Sequence, residues 1–207
     1  MDKAERPARP RLSRAESKQQ THGRLLDAAE RVFLKMGYQG ATLDSIAADA
    51  GFTKGAVYWH FPGKEALFLE LLATGMKRNA AAAEHVLSVV ADKPDRVDEV
   101  MGEWFDRFDA ISSVPLLGLE MDMESRRNPA LAAALQQVVG EQRKAVCLFL
   151  NHYFELVDRD PLMPIDELAS SMIALSKAVA LARQTRHSAG LNTARAVRII
   201  LGMPLAH

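Results

Sequence analysis

The stretch TLDSIAADAGFTKGAVYWH, residues 42–60, decides the fold of this chain. It predicts two short helices, each preceded by a threonine that can cap it, joined by a turn at Gly51. A small residue at Ala47 lets two crossing helices approach, Gly51 permits a left-handed turn, and Val57 fills the gap between the helices. The spacing therefore predicts a helix-turn-helix.

Helices are also predicted on both sides of this motif, where apolar residues recur at helical spacing. One helix spans residues 20–36 and ends at Gly37, and a longer one begins at Lys64 or Glu65 after a Pro-Gly break. This longer helix is predicted to extend to residue 91, and the others are predicted over residues 95–111, 115–126, 129–157 and 165–187, with a last helix after Asn192. No segment alternates with period 2, so we expect an all-α fold of about nine helices.

Composition and charge restrict the possible classes of protein. A hydrophobic fraction of 48% excludes disorder of the whole chain, and a single Cys excludes a disulfide framework. No apolar run approaches the roughly 18 residues of a membrane span, and no signal peptide is visible, so we expect a cytoplasmic protein without membrane contact.

Residues 1–64 contain 11 Lys and Arg against 7 Asp and Glu, whereas residues 65–207 contain 15 Lys and Arg against 19 Asp and Glu. This asymmetry favours an N-terminal part that binds an anion.

Residues 1–19 are predicted to form a basic flexible arm, because Pro7 and Pro10 interrupt a run of arginines. This arm is either a solvated tail or a segment that lies along phosphates or in a minor groove. The third helix of the motif has polar and aromatic residues that so short a helix cannot bury together: Lys54, Gly55, Tyr58, Trp59 and His60. These residues indicate contacts to phosphate or bases. The alternative is that the aromatic residues belong to the core, which we expect for Phe61 and in part for Trp59.

The run AAERVFLKMGYQGATLDSIAADAGFTKGAVYWHFPGKEALF, residues 28–68, resembles the N-terminal DNA-binding domain of the TetR/AcrR family of bacterial transcriptional repressors. It is similar in particular to the efflux-pump regulators, and the resemblance covers about residues 20–70. Phe52 stands where the family usually has Val or Ile, and Thr53 where it commonly has Ser. Thr53 keeps the hydroxyl that Ser would provide, and neither difference is expected to change the function.

The resemblance implies a DNA-binding domain over residues 20–66 and a ligand-binding and dimerisation domain over residues 67–207. The implied DNA-binding residues are Thr42, Ser45, Thr53, Lys54, Gly55, Tyr58, Trp59, His60 and Lys64. Among them, Tyr58 and His60 correspond to the family's usual pair of phosphate contacts. The partner would be a palindromic double-stranded operator, bound by a homodimer whose recognition helices lie about 34–36 Å apart.

Dimerisation is expected through the last two long helices, about residues 165–203, where small residues would permit close packing. The alternative is that these residues only form an Ala-rich core helix.

A small, mostly apolar effector is expected in the second domain. The candidate ligand-binding residues are Met76, Met101, Trp104, Phe105, Phe108, Leu119, Met123, Phe149 and Tyr153. Plain core positions are the alternative for each of them.

Metal ions and cofactors are not expected, because no histidine has ligand spacing. Glu120, Asp122 and Glu124 are expected to form a solvated face rather than a cation site, and Cys147 is expected to be inert. No constellation typical of an enzyme is visible. The predicted function is a ligand-responsive repressor, with control of an efflux pump as one expected role. The alternatives are an architectural DNA-binding protein without an effector and a transcriptional activator.

Overall fold

The computed structural model describes residues 13–185 and 193–203, and all regular structure in these ranges is helical. The helices are α1 (Arg14–Gly40), α2 (Leu43–Ala50), α3 (Lys54–His60), α4 (Lys64–Val90), α5 (Val97–Ile111), α6 (Val114–Ser125), α7 (Pro129–Val157), α8 (Ile165–Gln184) and α9 (Thr193–Ile200). A 3-10 turn, Pro94–Arg96, precedes α5. The predicted all-α fold is confirmed. None of the helices in the described ranges is long and apolar enough to cross a membrane.

Helix α1 begins at Arg14, earlier than the predicted start at Gln20. Its first turn is closed by a capping box, in which the Ser13 side chain accepts a hydrogen bond from the Glu16 N–H and the Glu16 carboxylate accepts one from the Ser13 N–H. The end of the predicted arm therefore belongs to α1, while residues 1–12 lie outside the described residues. Helix α1 also continues past Gly37, where a positive φ of 70° introduces a kink.

The turn between α2 and α3 has the geometry that the sequence spacing predicts. Gly51 adopts φ 72° and ψ 32°, the left-handed conformation that favours glycine. The Phe52 N–H donates to the Ala47 carbonyl at 2.9 Å, which closes the end of α2. Val57 is fully buried, and Ala47 is buried in the same apolar cluster.

A matched pair of glycine substitutions tests this turn. Gly51→Ala is expected to lower the free energy of unfolding by about 1–2 kcal/mol, because an L-residue is strained in the left-handed region. Gly140→Ala is the control: it lies inside α7 with no atom near its added Cβ, and should stabilise the protein by about 0.5–1 kcal/mol. Urea denaturation of both variants measures the difference, and equal effects would contradict the conformational argument.

The buried apolar residues form two clusters that share helix α4. The first joins the helix-turn-helix to the start of α4 and reaches residues of α6 and α7, such as Leu117 and Leu131. The second lies among the later part of α4 and helices α5, α7, α8 and α9. Because the first cluster spans both parts of the chain, the N-terminal helices are packed onto the C-terminal bundle and not merely tethered to it.

Candidate nucleic-acid interface and internal cavity

Helix α3 presents most of its side chains outward. Of its residues, all of which the structure describes, Val57 is the one that is buried. Tyr58 and Trp59 are 51% and 66% exposed, and the ammonium of Lys18 lies 4.5 Å from the centre of the Trp59 ring. Because large aromatic side chains seldom stay this exposed without a partner, the outer face of α3 is a candidate contact surface.

The predicted contact residues around α3 form part of the same surface. Thr42 and Ser45 exchange hydrogen bonds of 3.0 Å in a capping box at the start of α2. The Thr53 hydroxyl accepts from the Ala56 N–H at the start of α3, and Gly55 is exposed in the same turn. Both helix N-termini are therefore ordered by hydroxyl caps and face solvent, as a phosphate contact requires.

The charged residues of this surface are partly neutralised within the protein. Lys54 donates to the Asp44 carboxylate at 2.7 Å, and both side chains are exposed. This hydrogen bond and the charge of Asp44 raise the pKa of Lys54. The Lys54 ammonium is therefore positive, but the adjacent Asp44 carboxylate offsets its charge.

Lys64 has a structural role that the sequence does not indicate. Its ammonium donates to the carbonyls of Tyr38 and Ala41 at 2.7 and 3.0 Å and lies 4.4 Å from the centre of the Tyr38 ring. It thereby joins the start of α4 to the end of α1. Since an ammonium has three N–H groups, one remains for an external contact.

A histidine pair that sequence reasoning missed lies behind α3. His22 Nδ1 lies 3.3 Å from His60 Nδ1, and His22 Nε2 lies 2.5 Å from a Glu70 carboxylate oxygen. Burial is the main cause that lowers the pKa of His60, and the neighbouring His22 and Lys18 act in the same direction. No local signal points to this cluster, because His22 and Glu70 are 48 residues apart in sequence.

A cavity of about 680 Å³ lies within the C-terminal bundle and is mostly apolar. It falls within the usual size of small-molecule sites, about 300–1,000 Å³. Four predicted residues line it: Met76, Trp104, Phe105 and Phe149. Its wall also contains polar residues that the sequence did not single out: Glu70, Lys77, Asn79, Gln137, Glu141, Gln142 and Ser176.

Four other predicted ligand-binding residues are not among those that line this cavity. Met101 is fully buried in the core, and Leu119 is half-buried on α6. Met123 is 53% exposed on the same helix. Tyr153 is buried and donates to the Asp98 carboxylate at 2.6 Å, and burial raises the pKa of its hydroxyl. The side chain of Phe108 lies outside the described residues.

The expectation of a solvated acidic face on α6 holds only in part, because each of its carboxylates is half-buried and has a partner on another helix. Glu120 accepts the backbone N–H of Tyr38 at 2.7 Å, and its burial raises the pKa of the carboxyl. Asp122 accepts from Lys177 of α8 at 2.6 Å, and Glu124 accepts from the last turns of α1. Within residues 13–185 and 193–203, no group of three or more His, Cys, Asp or Glu could hold a metal ion.

Similar proteins are found over both parts of the chain. The family model for bacterial regulatory proteins of the tetR family matches residues 25–71. The HTH-type transcriptional regulator TtgW of Pseudomonas putida is 50% identical over 64 residues, which cover 31% of this chain and 47% of TtgW. The HTH-type transcriptional activator FasR of Mycolicibacterium smegmatis is 30% identical over 138 residues, which cover 67% of this chain and 59% of FasR. The chain thus spans about half the length of these relatives.

The fold of the whole chain is also found in solved structures. The crystal structure of the reduced form of Escherichia coli NemR matches with a TM-score of 0.67 and 18% identity, over 89% of this chain and 100% of NemR. At this identity the similarity concerns the fold alone. As predicted, the relatives are regulators and not enzymes. The helix-turn-helix of this chain, within residues 25–71, belongs to the TetR family of bacterial regulatory proteins.

Proposed function

We propose that this regulator binds a palindromic DNA operator as a homodimer and is released when a small, mostly apolar effector enters the C-terminal cavity. One observation carries the DNA-binding part of this proposal: α3 keeps only Val57 buried and exposes Tyr58 and Trp59 at the surface of a helix-turn-helix. Hydroxyl and indole groups can donate to phosphate oxygens, and such contacts fix the position of a protein on the duplex. The proposal includes control of an efflux pump, which only the resemblance of residues 28–68 to efflux-pump regulators supports.

Helix α8 supports the dimer. Its exposed positions include small residues, Ser170, Ser171, Ala174 and Ala178, followed by an exposed Leu181. Ile199 of α9 is exposed as well. Small side chains let two helices approach closely, and apolar side chains at the surface of a helix are stabilised when a partner covers them.

The composition of the cavity supports the class of effector. Trp104, Phe105 and Phe149 provide an apolar wall for an apolar body. The side-chain oxygen of Gln142, which also lines the cavity, is buried without a hydrogen-bond partner. A buried acceptor without a partner is costly, so a shift of this side chain that let it accept a hydrogen bond from an effector would gain affinity.

Footprinting on the promoter region of the protein's own gene tests the DNA-binding part. We expect protection of a short palindrome that survives an excess of unrelated DNA. Equal affinity for any sequence, with a steep salt dependence, would instead support an architectural protein. Transcription from the protected promoter in vitro then separates repression from activation.

For the cavity, the neutral fluorophore N-phenyl-1-naphthylamine should bind once per chain and release the operator. Binding without release would refute the coupling between the cavity and DNA binding.

Asp44→Asn is expected to strengthen operator binding about two- to fivefold at low salt. The substitution removes a negative charge from the candidate interface and leaves the Lys54 ammonium without its carboxylate partner. The gain should shrink as salt rises, because the Debye length is only about 8 Å at 0.15 M. Fluorescence anisotropy with a labelled operator measures it. Asp92→Asn, an exposed carboxylate after α4, is the control and should change nothing.

A further inference from the structure

We propose that His22 is a positioning residue: it binds the Glu70 carboxylate at the cavity wall and thereby determines which ring nitrogen of His60 carries a hydrogen toward DNA. This inference deepens the proposed function and rests on it. Glu70 lines the cavity proposed for the effector, and His60 belongs to the proposed DNA-binding residues. The three side chains come from α4, α1 and α3, so they connect the two proposed sites directly.

The geometry holds His22 in one orientation. Its ring stacks on the buried Phe61 at 4.7 Å between centroids, with 29° between the planes. In this position Nε2 lies 2.5 Å from Glu70 Oε1 and Nδ1 lies 3.3 Å from His60 Nδ1. Both ring nitrogens of His22 are thus engaged, one on the cavity side and one on the side of α3.

Hydrogen bonding couples the protonation state of His22 to the tautomer of His60. An ionised carboxylate only accepts, so His22 Nε2 must carry a hydrogen. If His22 is protonated, its Nδ1 also donates, His60 Nδ1 must accept, and neutral His60 carries its hydrogen on Nε2. If His22 is neutral, its Nδ1 accepts, His60 Nδ1 must donate, and neutral His60 has a bare Nε2. Only the first arrangement gives neutral His60 a free N–H for a phosphate oxygen.

The charged groups around His60 make its tautomer important. Lys18 and His22 face it from α1 and Glu70 from α4. Burial lowers the pKa of His60, as do Lys18 and His22, whereas Glu70 raises it. The net lowering favours neutral His60, so its donor capacity depends on which nitrogen holds the hydrogen. An amine or other hydrogen-bond donor that bound Glu70 from the cavity would remove the partner of protonated His22 and weaken DNA binding.

Glu70→Gln separates this mechanism from simple electrostatics. The amide oxygen can still accept from His22 but no longer stabilises its positive charge. Removal of a carboxylate near DNA should strengthen binding, because it removes Coulomb repulsion with the phosphates, as we expect for Asp44→Asn. The mechanism predicts the opposite sign: Glu70→Gln should weaken operator binding about three- to tenfold at pH 7 in fluorescence anisotropy. Stronger binding by Glu70→Gln would overturn it.

The pH dependence gives a second measurement. Operator affinity of the parent protein should fall as pH rises, because loss of the proton from His22 leaves neutral His60 without a hydrogen on Nε2. His22→Gln should bind weakly throughout and show a flatter profile. His85→Gln, an exposed histidine on α4, is the control and should keep the parent profile. An unchanged profile in His22→Gln would overturn the proposal.

Nitrogen-15 NMR of the histidine rings, recorded on the free full-length protein, tests the mechanism independently of DNA binding. We expect His60 to carry its hydrogen on Nε2 in the parent at pH 6 and to shift toward Nδ1 in Glu70→Gln. A His60 tautomer that is identical in both proteins would overturn the relay, even if the operator is bound. Absence of any specific operator would instead refute the proposed function, while the NMR result would still decide the coupling of Glu70, His22 and His60.

Discussion

Combined replacement of Tyr58 and His60 with Ala is expected to weaken operator binding about 100-fold or more, because each hydrogen bond to a charged phosphate contributes about 1.5–3 kcal/mol. Tyr58 is exposed and His60 is half-buried at the end of α3, so the substitutions remove contacts to a partner and the internal contact with His22, but none of the buried apolar core. The melting temperature should therefore remain close to that of the parent. Fluorescence anisotropy with operator and with scrambled duplexes measures the change.

The pattern of the loss identifies the contacted group. If both side chains bind phosphate, affinity should fall by the same factor for operator and scrambled DNA, so the ratio of the two affinities is kept. The salt dependence should also keep its slope, because neither Tyr58 nor neutral His60 displaces a counterion. Tyr58→Phe, which lacks only the hydroxyl, should account for about a tenfold part of the loss. A loss confined to one base pair of the operator would show base recognition and contradict phosphate contact.

The helices were predictable from the sequence because their limits are set by local chemistry. Thr42 and Thr53 cap α2 and α3, Gly51 ends α2, and Pro129 begins α7, each within one turn of the predicted limits. The start of α1 was missed because the prolines of the preceding segment dominated the interpretation. The spacing of Ser13 and Glu16 is nevertheless that of a capping box, and their reciprocal bonds show that the helix begins there.

The sites were less predictable because they depend on which helix faces meet. On α5, Trp104 and Phe105 line the cavity, whereas Met101 one turn earlier is sealed in the core. On α6, the apolar pattern does not define one face, and Met123 points to solvent. Sequence spacing gives the period of a helix but not the direction of its neighbours. Partners distant in sequence, such as His22 and Glu70, depend entirely on that packing.

Phe68→Ala is expected to lower the free energy of unfolding by about 3–5 kcal/mol, the usual range for a buried phenylalanine that leaves a cavity. Phe68 is fully buried at the start of α4 and packs edge-on against Phe33 and Tyr38, with centroid distances of 4.5 and 5.2 Å. Urea denaturation at a fixed protein concentration measures the loss. Val89→Ala, 59% exposed on the same helix, is the control and should change stability by less than about 0.5 kcal/mol.

The same variant tests whether the two parts of the chain unfold together. Phe68 belongs to the buried cluster that contains Leu117 of α6 and Leu131 of α7, and the Glu120 carboxylate of α6 accepts a hydrogen bond from the Tyr38 N–H. A cavity at Phe68 therefore weakens the contact of α1 with α4 and with α6 at once. One cooperative transition, shifted to lower urea with an unchanged slope, is the expected result. An early separate transition would instead mean that the helix-turn-helix unfolds alone, and the contacts of Glu120 would then contribute little to coupling the DNA-binding helices to the cavity.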